Sequence, residues 1–167
     1  EYKVRKKSLH IILPDSLEKN TTYTINFGKG LVDYNEGNPI VNYNYVFSTG
    51  PELDSLSVAG SVKNAFTKTF DEKEDKDVRI LLIPTRQDSI FGKKKANIFT
   101  SVDSSGNFIL KNLREDTYRI YAIKEQNNNR IYDSPEESIG FLEDSIILNK
   151  DITGIKLEFS KGKPQKF

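Results

Sequence analysis

Apolar side chains recur at every second position in short runs along this chain. The clearest run is near its end, where Ile155, Leu157 and Phe159 alternate with Lys156 and Glu158. Successive side chains of a β-strand point to opposite faces of a sheet, so this pattern predicts strands with one buried face. Helical periodicity never persists for two turns with capping residues at its ends. The sequence therefore predicts an all-β fold.

The stretch 103–137 has the strongest turn signals. Gly106 and Asn107 predict a tight turn, because glycine adopts positive φ without steric cost and asparagine tolerates it. The two strands that follow, one beginning near Phe108 and one led by Tyr118, carry apolar side chains on the same face. The pattern predicts a hairpin whose apolar face needs a second layer to cover it.

One strand is predicted to be buried on both faces. Residues 78–83 are an almost continuous run of β-branched residues and leucines, which is typical of a central strand. The preceding charge run, DEKEDKD at 71–77, predicts a solvated loop tip. Because turns recur about every ten residues, the part of the chain from residue 53 onward is predicted to form an antiparallel sandwich of about seven strands.

Charge and missing residue types exclude several classes of function. The chain has 25 basic and 24 acidic residues, for a net charge of +1, so no strong field attracts nucleic acid or an anionic membrane. Cysteine is absent, which excludes disulfides, thiol catalysis and cysteine-bound zinc. No apolar run approaches the roughly 20 residues that span a bilayer.

The sequence predicts no catalytic residue. His10 is the only histidine, and its place in an alternating strand predicts that it faces solvent. Neither a cysteine–histidine pair nor a multi-histidine metal centre can be assembled, and no G-x-S-x-G elbow or glycine-rich phosphate loop occurs. We therefore expect a protein that is not an enzyme and that carries no organic cofactor.

One polar constellation points to metal chemistry. Glu125, Asn127, Asn129, Asp133 and Glu137 follow the Tyr118 strand and place side-chain oxygens at alternate positions, with carboxylates later in the loop. Hard cations are wrapped by loops of this kind, so the pattern predicts a structural calcium site. The same side chains also suit a metal-free loop in which they bind their own backbone through Asx-turns. Both interpretations remain open at this point.

Residues 13–40 and 45–50 carry a recurring motif. A leucine-rich strand is followed by NTTYTINF, by a turn from Asp33 to Asn38, and by a terminal FSTG. This motif resembles the later half of the bacterial immunoglobulin-like domain first described in S-layer proteins. The resemblance implies that residues 1–52 form a partial immunoglobulin-like sheet, and that the parent protein carries the family's opening strands upstream.

A second motif covers much of the remaining chain, residues 53–167. The segments SLSVAGSVKNAFT, DVRILLIP and FTSVDSSGNFILKNLREDTYRIYA resemble the carboxypeptidase regulatory-like domain. That resemblance implies a prealbumin-like, seven-stranded antiparallel β-sandwich. Asp116 stands where the family's pattern usually has glycine, which the turn before Tyr118 must accommodate.

The order of the two units is similar to that in a group of cell-envelope lipoproteins from the Bacteroidetes. This resemblance implies a non-catalytic structural or interaction module of an exported lipoprotein, in the periplasm or on the outer surface. Its partner would be an envelope protein or a glycan, and it would reach the membrane only through a lipid anchor upstream. One alternative is a carbohydrate- or protein-binding module that exposes Tyr34, Tyr43, Tyr45 and Tyr132. The spacing of Tyr43 and Tyr45 with Phe47 on one strand face favours a core position for both instead. Another is an accessory domain of a larger envelope enzyme.

Overall fold

The structure, a computed structural model, describes residues 1–13, 16–28, 30–40 and 43–161. Strands account for 47% of it and helix for 4%, which confirms the predicted all-β fold. Its contacts divide the chain into Glu1–Asp54 and Ser55–Phe167, which we refer to as unit 1 and unit 2. None of the helical structure in the described ranges has the length and apolar character of a membrane span.

Unit 1 is built from two antiparallel strand pairs. Its strands are β1 (Tyr2–Arg5), β2 (Ser8–Ile11), β3 (Thr22–Asn26) and β4 (Asn44–Ser48). Strand β1 pairs with β2, and β3 pairs with β4. The sequence indicated β2, β3 and β4, whereas β1 was missed because its short, basic YKVR segment has little apolar alternation.

The predicted turn from Asp33 to Asn38 is held by one carboxylate. Asp33 Oδ1 accepts hydrogen bonds from the amides of Asn35 at 3.0 Å and Glu36 at 2.6 Å, and Asp33 Oδ2 accepts one from the Asn38 amide at 2.9 Å. These amides, that of Glu36 foremost, lower the pKa of Asp33 below its ordinary value. The Asp33 carboxylate therefore reinforces the backbone hydrogen bond from the Asp33 amide to the Asn38 carbonyl oxygen, which also closes this loop.

The described residues of unit 1 form no buried core. No side chain in its described residues is buried, and Leu9 and Ile11 of β2 remain 40% and 37% exposed. The strand expected there is present, but its apolar face is not covered as predicted, since a sheet of two strands has too little area to form a buried layer. His10, which pairs with Lys3, is exposed as predicted.

The described part of unit 2, residues 55–161, contains eight strands and one short 3-10 helix. The strands are β5 (Leu56–Asn64), β6 (Val78–Pro84), β7 (Ile98–Ser101), β8 (Asn107–Leu113), β9 (Asp116–Lys124), β10 (Ser138–Phe141), β11 (Ile146–Leu148) and β12 (Ile152–Lys161). The 3-10 helix, Thr85–Ile90, lies in the connection between β6 and β7.

The strands of unit 2 form two layers. One has the order β8-β5-β12, and the other has the order β7-β6-β9-β10 with β11 also paired to β9. A short pairing between β10 and β12 joins the layers at one edge. Two details differ from the predicted seven-stranded antiparallel sandwich: β11 adds an eighth strand, and β12 pairs with β5 in parallel. Alternation alone does not specify strand direction, because parallel and antiparallel strands share the period of two.

The main core lies between these layers and draws on both. Its buried members are Val58, Val62, Val78, Ile80, Leu82, Phe108, Leu110, Leu113, Tyr118, Ile120, Ala122, Ile146, Leu148, Ile155, Leu157 and Phe159. Strand β6 is buried on both faces, since Leu81 and Ile83 are as inaccessible as Ile80 and Leu82. The prediction of a central strand at residues 78–83 is confirmed.

The predicted hairpin of the Phe108 and Tyr118 strands is wrong. The turn at Gly106 is present, with φ of 79° at the glycine and with Asp103 Oδ1 accepting the Asn107 amide at 2.8 Å. However, β8 pairs only with β5, whereas β9 pairs with β6, β10 and β11. Phe108 and Tyr118 therefore enter the same core from opposite layers. The alternation placed their side chains correctly but could not identify the neighbouring strands.

A second, smaller core covers the outer face of β6 and β9. Its buried members are Leu81, Ile83, Ala96, Tyr121 and Ile123. Two long loops, 85–97 and 125–137, pack over this face with Ile90, Phe91 and Tyr132. The loop that carries the predicted calcium ligands is thereby held against the sheet.

Candidate functional site

The loop 125–137 joins two strands that are paired up to its base. Lys124 at the end of β9 lies opposite Ser138 at the start of β10, so Glu125 and Glu137 are the first loop residues on either side. Both are buried, with 6% and 1% of their surface exposed. The base of the loop therefore contains two buried carboxylates that come from neighbouring chain segments.

Glu137 ties the loop together through backbone amides. Its Oε1 atom accepts a hydrogen bond from the Gln126 amide at 3.3 Å, and its Oε2 atom accepts one from the Asp133 amide at 3.2 Å. These contacts link the start and the end of the loop through one side chain. Contacts with the backbone of its own loop are what the metal-free alternative predicted for this side chain.

The Glu125 carboxylate has fewer hydrogen-bond partners than that of Glu137. Its Oε2 atom accepts a hydrogen bond from the Arg130 amide at 3.1 Å, which turns the carboxylate into the loop. Its Oε1 atom is buried and has no hydrogen-bond partner in the structure. A buried oxygen without a partner carries its full desolvation cost, typically about 1–3 kcal/mol and more for a charged group.

The three other predicted ligands lie in the same loop and bind one another. Asn127 Oδ1 accepts the Asn129 amide at 3.2 Å, and Asn129 Oδ1 accepts the Ile131 amide at 2.8 Å. Asn129 Nδ2 donates to Asp133 Oδ2 at 2.7 Å. These are the Asx-turn contacts of the metal-free alternative. In the part of the chain that the structure describes, no three acidic, histidine or cysteine side chains converge as a metal site would require.

Sequence reasoning missed Arg130, the only cation in the loop. Its guanidinium carbon lies 4.0 Å from the centre of the Phe99 ring on β7, a cation–π contact. Burial lowers the pKa of the Arg130 guanidinium, and the negative charge of Glu125 raises it in part. Arg130 φ is 60°, so the backbone turns sharply here although the residue is not glycine.

Aromatic side chains hold the two long loops on the outer face of the sheet. The Phe91 ring is stacked on that of Tyr121, with centroids 3.9 Å apart, and lies 6.1 Å from that of Tyr132. The Tyr121 hydroxyl donates a hydrogen bond to Asp88 Oδ1 at 2.8 Å. Tyr132 is therefore part of this packing and is only half exposed.

The hydrogen bond between Tyr121 and Asp88 has a measurable effect on the pKa of the Tyr121 hydroxyl. Burial, followed by the hydrogen bond to Asp88, raises the pKa of Tyr121 to about 12 from an ordinary value of 10.0. Because the folded state holds the proton more tightly than the unfolded state, this contribution to stability is complete below pH 10.0 and is lost as the pH rises toward 12. NMR titration of tyrosine labelled at Cζ should show a lower pKa for Tyr121 in Asp88→Asn that still exceeds 10.0, since burial is the larger cause.

A matched variant checks the assignment. Glu72→Gln removes an exposed acid from the loop 71–77 and should leave the titration of Tyr121 unchanged. An identical Tyr121 pKa in the wild type and in Asp88→Asn would show that Asp88 does not contribute.

The charge run 71–77 is not a uniformly solvated loop tip, as the sequence predicted. Asp75 is only 4% exposed. Its Oδ2 atom accepts the Asp71 amide at 3.0 Å, and its Oδ1 atom lies 3.0 Å from Lys124 Nζ. One carboxylate of the run therefore turns inward and ties the loop to the end of β9.

The paired strands β3 and β4 carry an aromatic face. Tyr23 is stacked on Phe47 with ring centroids 5.6 Å apart, and Tyr45 lies 6.1 Å from Phe47. Tyr43 and Tyr45 are 48% and 54% exposed, although the sequence favoured a buried position for both. Tyr34, at 100%, is also exposed. Of the four tyrosines whose exposure would indicate a binding module, three meet that condition.

Comparison with known proteins yields one result, and it concerns unit 1. Residues 1–49 match the family model described as bacterial Ig-like domain. Domains of this family occur in extracellular or surface proteins, so the match indicates a non-catalytic surface or interaction role for this segment. No curated protein and no solved structure matches the chain.

Proposed function

We propose that the chain is a non-catalytic module of an exported cell-envelope lipoprotein, in which it spaces other domains or contacts a partner. The observation that carries this proposal is the match of residues 1–49 to the bacterial Ig-like domain. The proposed location in the cell envelope rests on the resemblance of the two units, in this order, to envelope lipoproteins of the Bacteroidetes. The absence of cysteine is compatible with an oxidising compartment.

Unit 2 fits the role of a rigid spacer. We infer that it is a carboxypeptidase regulatory-like domain, since the segments that carry this resemblance form β5, β6, β8 and β9, which line the main core. The two layers bury a continuous apolar core between them, which supports a rigid unit. A sandwich of this kind tolerates long loops at its ends, where contacts with partners are made.

The placement of the polar groups supports an interaction role over catalysis. The carboxylates of Glu125 and Glu137 are directed at backbone amides within their own loop, whereas a catalytic acid must reach a substrate. By contrast, the rings of Tyr43 and Tyr45 are open to solvent. Tyrosine combines an apolar ring with a polar hydroxyl and is enriched at interfaces. We therefore place the contact surface of unit 1 on the aromatic face of β3 and β4.

Fractionation of cells tests the proposed setting. The complete gene product, expressed from its own start in its native host, is expected in the envelope fraction. We expect it to incorporate labelled palmitate and to partition into the detergent phase of Triton X-114, because a lipid anchor gives a protein affinity for membranes. A cytoplasmic enzyme and a known lipoprotein from the same host serve as the two reference markers. Recovery of the unlabelled protein with the cytoplasmic marker would refute the proposal.

A further inference from the structure

We propose that β4 pairs with the β4 strand of a second copy of this chain, in antiparallel direction about Val46. This inference rests on the interaction role proposed for unit 1 and names one partner, but it does not depend on where the protein resides in the cell. It starts from the edge of β4 that faces away from β3. No described strand other than β3 pairs with β4, so the backbone groups of this edge are available to a further strand.

The hydrogen bonds between β3 and β4 show which backbone groups of β4 face outward. The Phe27 amide donates to the Tyr43 carbonyl oxygen at 3.3 Å, and the Thr49 amide donates to the Thr21 carbonyl oxygen at 3.1 Å. In an antiparallel pair, hydrogen-bonded and non-hydrogen-bonded residue pairs alternate along the strands. The odd-numbered residues of β4 therefore bond to β3. The backbone groups that point outward belong to the even-numbered residues Asn44, Val46 and Ser48.

The outer edge of β4 lacks the features that commonly prevent pairing with another chain. Lysine, proline and bulges protect many open edges. Residues 43–49 read YNYVFST and contain neither charge nor proline, and the five residue pairs of β3 and β4 run without a bulge. By contrast, β1 carries Lys3 and Arg5, and the edge strand β8 carries Lys111. Self-pairing of β4 therefore meets no charge repulsion.

Of the two strands, β4 has the more accessible edge. The Asp54 amide donates to Thr22 Oγ1 at 2.8 Å, which places the segment after β4 beside the start of β3. Tyr43 and Tyr45 are 48% and 54% exposed, whereas Tyr23 on β3 is half-buried. A further strand is therefore expected next to β4.

The edge of β4 is complementary to a copy of itself. Antiparallel pairing about Val46 sets this residue opposite Val46 of the second copy, and sets Asn44 opposite Ser48 of the second copy. Outward amides then meet outward carbonyl groups in hydrogen-bonded pairs. Tyr45 lies opposite Phe47 of the second copy, and aromatic pairs across strands stabilise a sheet. A twofold axis relates the copies, so the assembly closes as a dimer.

The pairing widens a sheet that is narrow in one copy. Strands β3 and β4 form a sheet of two, and an isolated strand pair is marginally stable in water. Two copies joined through β4 form a sheet of four strands whose aromatic side chains share one face. The competing occupant of the edge is an extended segment of a different protein, which would leave this chain monomeric in solution.

Sedimentation equilibrium of the whole chain tests the proposal. The mean mass should rise from that of one chain toward that of two between about 0.01 and 1 mM, with a Kd of roughly 0.1–1 mM, because an interface of one strand pair is small. Val46→Pro removes an outward amide but no hydrogen bond to β3, which an edge strand tolerates. It should weaken the dimer at least tenfold.

Val46→Thr is the matched control for the proline variant. Threonine keeps the amide and a β-branched side chain, so this variant should dimerise as the wild type does. Two-dimensional NMR spectra should show the strand pair β3–β4 intact in both variants.

Cysteine substitution locates the contact. The chain has no cysteine of its own, so every disulfide in a single-cysteine variant joins two copies. Cα atoms of a hydrogen-bonded antiparallel pair are about 5.5 Å apart, which a disulfide can bridge. Val46→Cys should therefore form a covalent dimer with oxidised glutathione. Thr24→Cys is the control, since Thr24 lies opposite Val46 on β3 and its two copies would be about 14 Å apart. It should cross-link at least ten times more slowly.

Three results would overturn the proposed dimer: a wild-type chain that stays monomeric at the highest concentration, a Val46→Pro dimer as stable as the wild type, or equal cross-linking at positions 24 and 46. Failure of the proposed cellular setting is distinguishable from these results. A protein that dimerises through β4 but is recovered with the cytoplasmic marker would refute the setting and retain the dimer.

Discussion

Replacement of Gly60 by alanine is expected to destabilise unit 2 by about 3 kcal/mol or more. Gly60 lies on β5 opposite Ile155 of β12. A methyl group at this position would overlap the Ile155 carbonyl oxygen and lie 2.8 Å from both its carbonyl carbon and its Cβ atom. These atoms belong to a paired strand and cannot move aside as the end of a flexible side chain can. We therefore expect Gly60→Ala to lower the Tm by more than about 10 °C in thermal unfolding followed by circular dichroism.

Gly154→Ala separates this overlap from the general cost of replacing glycine. Gly154 has a φ of 78°, but nothing lies within 4 Å of the added methyl group. Its replacement should cost only the conformational strain, about 1–2 kcal/mol. If Gly60→Ala were the milder of the two variants, the close approach of β5 and β12 would be incorrect.

Phe159→Ala is expected to cost about 3–5 kcal/mol, because it removes a large side chain from a closed core. Phe159 lies on β12, is completely inaccessible to solvent and belongs to the main core between the two layers. The surrounding side chains come from both sheets and cannot collapse into the space without moving a layer. Denaturation in guanidinium chloride should show a lower midpoint in a single cooperative transition.

Phe66→Ala is the matched control, because it removes the same side chain at an exposed position. Phe66 is 79% exposed, so the same truncation should change the free energy of unfolding by no more than about 0.5 kcal/mol. Equal effects at positions 66 and 159 would mean that β12 does not face the core. The two-layer arrangement would then be wrong.

The sequence predicted which side chains enter the core of unit 2, but not which strands lie side by side. Burial on both faces of β6 was evident because its continuous apolar run is a local property. Pairing between β5 and β12 joins residues about ninety-five positions apart, such as Gly60 and Ile155, and nothing in either segment specifies the partner. For the same reason, the strands of Phe108 and Tyr118 were predicted to be neighbours although they lie in different layers.

At the candidate site, too, the sequence predicted which residue types are present but not how buried they are. The sequence showed that residues with side-chain oxygens recur at alternate positions of the loop 125–137. It did not show that Glu125 and Glu137 are buried. Their burial depends on how the rest of the chain packs around the base of the loop, which no local pattern in the sequence specifies. In unit 1, the exposed Tyr43 and Tyr45 were mistaken for core residues. Alternation shows that side chains share one face of a strand, but it does not show whether another layer covers that face.

The parallel pairing of β5 with β12 has a consequence for how this protein acquires its structure. The first strand of unit 2 finds its central neighbour only when the last strand has been synthesised, so most of the core stays open while the polypeptide is being made. Contacts between segments so far apart also make folding slow, since the entropy of closing a long loop must be overcome first.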